Sequence, residues 1–126
     1  MDLETFGRQL QSALTPGRIP QNPGGGISTV ISSNNGKVRY KRGQSTYSVS
    51  VEALFAAYSS FKGRRVSSTD LKRFAPAIFD SAARPAGHSC NCTFLFLALR
   101  EMQLSSGIKG TGLAGSPFFT EILARQ

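Results

Sequence analysis

Acidic side chains are scarce in this chain: seven Asp and Glu stand against fifteen Lys and Arg, with a single histidine. The few carboxylates argue against chemistry built on paired acids. Asp2, Glu4, Glu52, Asp70, Glu101 and Glu121 read as helix starts or polar faces, Asp80 reads as a turn cap, and no spacing like that of a metal-dependent nuclease emerges. Cysteine is scarce too. Cys90 and Cys92 stand two apart and cannot build a disulfide framework, which fits a reducing interior. Long apolar runs are missing: the longest, residues 94–99, is about a third of the ~20 residues that a membrane-spanning helix needs. Asp2 and Glu4 occupy the place where a signal peptide would carry an apolar segment. The expectation is a cytoplasmic protein without catalytic activity, metal, cofactor or membrane partner.

What is present is positive charge. The formal net charge is +8 in 126 residues, which favours polyanionic partners. Most of it is local. Lys37, Arg39, Lys41, Arg42, Lys62, Arg64, Arg65, Lys72 and Arg73 are opposed between residues 37 and 73 only by Glu52 and Asp70. A set like this can follow a phosphate backbone and release counterions on binding. No exposed aromatic platform is legible among these cations, and duplex DNA is therefore expected in preference to RNA.

Along the chain, Leu3, Phe6, Leu10 and Leu14 form one helical stripe that ends at Thr15-Pro16-Gly17. Residues 17–26, with Pro20, Pro23 and three consecutive glycines, read as a tether without a core of its own. The period becomes two from Ile27. A strand over 27–32, Asn34-Asn35-Gly36 as a hairpin turn, and a return strand are expected; Val38 and Tyr40 face one side of that strand and Lys37, Arg39 and Lys41 the other. A third short strand falls at 45–49. Ser50 caps a helix that Gly63 stops, and Ser67 with Asp70 forms a weak capping box on a second helix, which Pro76 shortens or kinks. Ser89 or Asn91 starts a third, mostly apolar helix over 92–104, and a terminal hairpin is expected from strands at 108–109 and 118–123. The organisation expected is an N-terminal helix (1–16), a linker (17–26) and an α+β domain (27–126).

Three helices followed by a hairpin, over residues 45–123, resemble in order the elements of a winged helix-turn-helix. The resemblance implies DNA contact through the start of the third helix and the hairpin tip, or wing. Because the body of that helix is apolar, contact is expected at its first turn. Arg84, His88, Ser89 and Asn91 are the candidates for specificity, since Asn pairs with adenine through two hydrogen bonds. Arg39, Lys41, Arg42, Lys62, Arg64, Arg65, Lys72 and Arg73 are the candidates for phosphate, joined by Lys109 in the wing. The Gly110-x-Gly112-x-x-Gly115 pattern lacks the strand-to-helix setting of a nucleotide loop and reads as a hairpin tip. His88-Ser89-Cys90-Asn91-Cys92 is one ligand short of a tetrahedral metal set and has no second histidine as base; its cysteines read as small buried residues. The alternative to DNA is a protein-interaction module, in which the N-terminal amphipathic helix engages a partner or a second copy of the chain and the basic surface meets an acidic protein.

Overall fold

A computed structural model describes residues 1–18, 22–23, 25–83, 85 and 87–124. It is a mixed α+β fold. Helix α1 (Leu3–Ala13) starts at Asp2, whose carboxylate accepts the Thr5 amide at 2.8 Å. Phe6, Leu10 and Leu14 are completely buried, with the Phe6 ring against Phe55 and Tyr58 at centroid distances of 5.3 and 5.4 Å. Each such side chain contributes about 1.5–3 kcal/mol of burial. Three of the four residues of the amphipathic stripe therefore lie in the protein's own core, and Leu3 stays exposed.

Of the expected tether, the described residues 17–18 and 22 make defined contacts; residues 19–21 and 24 lie outside the described residues. Gly17 donates its amide to Val30 and Val30 donates to Arg18, at 2.8 and 2.9 Å, which lays this stretch along the next strand. Asn22 is buried and accepts the Ser28 hydroxyl at 2.9 Å, and Arg18 pairs with Glu101. Proline and glycine content reports on local stiffness, whereas an open strand edge supplies the bonds that pin this chain.

Strands β1 (Ser28–Asn34), β2 (Lys37–Arg42) and β3 (Ser45–Ser50) form an antiparallel sheet in that order. Asn35 and Gly36 turn the first hairpin with φ of 54° and 73°, the positive values that Asn-Gly pairs supply. The register slips between Val30 and Ser32, and the bulge leaves Ile31 exposed. Val38 and Tyr40 face inward, as alternation predicts.

Helix α2 (Val51–Phe61) takes its N-cap from Ser50 and ends before Gly63, at φ 77°. A three-residue strand that periodicity does not reveal, β4 (Arg65–Ser67), follows it. Helix α3 (Ser68–Phe74) carries the full Ser67–Asp70 capping box, and α4 (Pro76–Phe79) restarts at the proline. Helix α5 (Cys90–Glu101) is the centre of the core, buried from Asn91 to Leu99. It starts earlier and ends earlier than its apolar pattern predicts.

Strand β5 (Phe119–Glu121) pairs with β4, and the stretch before it crosses only as isolated bridges, Lys109 to Phe119 and Ser105 to Ile122. The terminal hairpin is thus part of a small second sheet. No helix among the described residues is long and apolar enough to cross a membrane.

Candidate nucleic-acid interface

The cations expected to meet phosphate are divided between the two sheets. On β2, Lys37, Arg39 and Lys41 project from the outer face at alternate positions, roughly 7 Å apart along the strand. Their cross-strand neighbours are Asn34, Ser32 and Thr29 on β1, and Ser50, Ser48 and Thr46 on β3. The three strands contain no carboxylate. The inner face explains why the strand holds this orientation. Tyr40 is fully buried, stacks on Phe94 of α5 at 4.0 Å and donates its hydroxyl to Asn91 Oδ1 at 2.7 Å. A one-residue slip would bury Arg39 and expose Tyr40. Arg42 ends the strand half-buried, opposite Ser28 and Ser45.

The second group surrounds β4. Arg65 is exposed and lies over the Phe119 ring at 3.8 Å; Arg64 lies 5.1 Å from Phe61 and donates to the Ser60 carbonyl at 2.8 Å. Lys62 is half-buried, 6.0 Å from the Tyr58 ring. Lys72 and Arg73 sit in the last turn of α3. Lys72 lines a cleft of about 350 Å³ together with Ser68, Thr69, Ser89, Thr93 and the glycine loop. Lys109 is exposed on the strand stretch facing β5. Phe61, Phe74 and Phe119 are only partly covered; Phe74 is 41% exposed and meets Phe61 edge-on at 5.6 Å. Rings therefore do stand among these cations, contrary to the sequence reading.

The residues expected to read bases fare differently. Asn91 is buried, its oxygen taken by Tyr40 and its amide donated to the Ile78 carbonyl at 2.9 Å. Both ends of the buried side chain are occupied, which leaves neither facing a base; Asn91 is the polar joint between β2 and α5. Ser89 occupies the N-cap position without capping. Its amide donates to Ser81 Oγ at 2.8 Å and its hydroxyl accepts from Ser81 Oγ at 3.0 Å. The His88 ring is half-buried, edge-on to Tyr47 at 5.0 Å. Just before it, Gly87 is so enclosed that a Cβ would stand 2.1 Å from the Asp80 carbonyl. Arg84 lies outside the described residues.

Burial pushes the Cys92 thiol up to about 12, and the same cause raises the Tyr40 phenol well above its ordinary range. Cys92 thus stays a protonated core residue at neutral pH. Among the described residues, no three His, Cys, Asp or Glu side chains gather as a metal-ligand set. The glycine loop closes on its own return strand, with the Thr111 and Gly112 amides on the Ser116 carbonyl at 3.2 and 2.9 Å. A Cβ on Gly112 would stand 2.4 Å from the Phe118 ring. These amides are occupied within the loop and do not form a phosphate cradle. Comparison of the chain with protein-family models, with curated proteins and with solved structures gives no match.

Proposed function

We propose that this protein is a non-catalytic double-stranded DNA-binding protein, a regulator or accessory factor built on a winged-helix-like domain. The observation that carries the proposal is the outer face of β2: Lys37, Arg39 and Lys41 in a row, bordered by Ser, Thr and Asn, in a sheet without a carboxylate. Fixed cations with small hydroxyl neighbours suit a phosphate backbone, because hydroxyls donate to phosphate oxygens and bring no opposing charge.

The element order supports the winged-helix reading. Helix α2, strand β4, helices α3 and α4, helix α5 and a terminal two-strand stretch follow one another, and β5 lies between β4 and the segment around Lys109. One feature departs from that pattern. In a winged helix the third helix lies in the major groove. Here β2 covers α5 through Tyr40, Phe94 and Asn91, so the sheet takes the helix's place at the surface. The major groove admits a β-ribbon as readily as a helix. The N-terminal helix, which motivates the protein-partner alternative, has its apolar stripe in the core, and that alternative loses its main support.

Fluorescence anisotropy of a labelled mixed-sequence duplex across a salt series tests the proposal. The expected result is a logarithm of affinity that falls linearly with log salt, with a slope that corresponds to several released counterions. Absence of binding at low salt refutes it.

A further inference from the structure

The two cationic surfaces differ in one chemical respect. The outer face of β1–β3 carries cations among small polar side chains. On the outer face of the β4–β5 sheet, Phe119 is exchanged with Lys109 by two backbone bonds of 2.8 and 2.9 Å, and the Arg65 guanidinium lies over its ring at 3.8 Å. Directly opposed antiparallel residues share a face, so Lys109 and Ser67 flank Phe119, with Arg65 on its diagonal. A second pair, Arg64 over Phe61 with Phe74 edge-on to that ring, adjoins this one along the chain. An exposed Arg guanidinium seated over a ring is a surface on which an unpaired base can stack, and the neighbouring lysine suits that nucleotide's phosphate. A base inside an intact duplex cannot use it, because its faces are already stacked.

We propose that the outer face of the β4–β5 sheet, with Arg65 and Phe119 at its centre, binds unpaired nucleotides of a DNA strand. The protein would then recognise duplex that continues into single strand, with the paired part on β1–β3. Placing the paired part there rests on the proposed function; the stacking site itself does not. Glu121, directly across from Arg65, is a carboxylate on this face and sets a limit on its affinity for bare phosphate. That bias favours a contact in which the base, rather than the charge, provides the discrimination.

The test compares three labelled DNAs: a blunt duplex, the same duplex with a single-stranded extension of about eight nucleotides, and one whose extension is abasic. The abasic extension keeps the phosphates and removes the rings. The intact protein should bind the normal extension roughly tenfold more tightly than the abasic one. Arg65→Lys, which keeps the charge and loses the plane, should abolish that difference. Equal affinity for the two extensions overturns the proposal, as does an Arg65→Lys protein that retains the difference. If the blunt duplex fails to bind but an isolated strand binds in an Arg65-dependent way, the duplex reading falls and the stacking site stands. If neither DNA binds, both fall.

Discussion

The two sheets use the same cations in different company. On β2 the charges stand among Ser, Thr and Asn, and their orientation is set from behind by Tyr40 on α5. Around β4 and β5 the charges lie on rings, and Glu121 faces Arg65. In the first case the side chains are exposed to water without a ring beneath them, as suits a diffuse polyanion. In the second the exposed guanidinium of Arg65 rests over a ring at 3.8 Å, as suits a planar partner. A count of Lys and Arg treats both surfaces alike. What separates them is which residues the strand pairing places alongside.

The largest effect is expected from reversing the β2 face. A protein with Lys37, Arg39 and Lys41 all changed to Glu should lose roughly a hundredfold or more in duplex affinity at moderate salt. Its thermal unfolding should stay near that of the parent, because all three side chains are exposed. Equal affinity in anisotropy titrations would move the duplex site elsewhere.

Breaking the support behind that face comes next. Asn91→Ala leaves the buried Tyr40 hydroxyl and the Ile78 carbonyl without this partner, at a cost of about 1–3 kcal/mol in urea unfolding. A protein of unchanged stability that loses preference among DNA sequences would instead restore Asn91 as a base reader.

Alkaline titration probes the core where α5 meets α4, with the Cys92 thiol on the Phe79 carbonyl at 3.5 Å. The Cys92 thiol ionises near 9.0 when unfolded and is pushed up to about 12 by burial in the fold. The unfolded chain therefore releases its proton first, and this contribution to stability declines as pH rises from 9 towards 12. Tyr40 and Tyr58, also raised by burial, add to the decline at its upper end. Cys92→Ala should flatten the early part of the decline; a slope indifferent to this substitution would exclude Cys92 as its source.

The smallest effect sharpens the second surface. Glu121→Gln removes the carboxylate opposite Arg65 and should tighten binding to DNA with a single-stranded extension by roughly two- to threefold. Weakened binding would mean that Glu121 orients Arg65 and does not merely oppose it.

Much of the local structure is legible because short-range rules decide it. Alternation from Lys37 to Lys41 sets which side chains share a face, Asn35-Gly36 supplies the positive φ of the hairpin, and Ser67 with Asp70 marks a helix start that a full capping box then forms. Strand β4 was not legible: three residues with one buried apolar side chain carry no periodic signal, and its partner lies more than fifty positions away. The contact of Gly17 and Arg18 with the edge of β1 was not legible for a related reason, since Pro and Gly content says nothing of a strand edge. Asn91 misled because an amide at a helix start is equally suited to a base and to a buried tyrosine, and only the position of β2 distinguishes them.

By itself the sequence determined the excess of positive charge, its gathering between residues 37 and 73, the faces of β2 and the amphipathic character of α1, all consequences of composition and of periods within one element. Only the tertiary structure decided that α1 closes the protein's own core, that β2 covers α5, and that Arg65 comes to rest on Phe119. Those outcomes depend on pairing between distant segments, where burial of apolar surface and satisfaction of buried polar groups are settled jointly and no local pattern records the result.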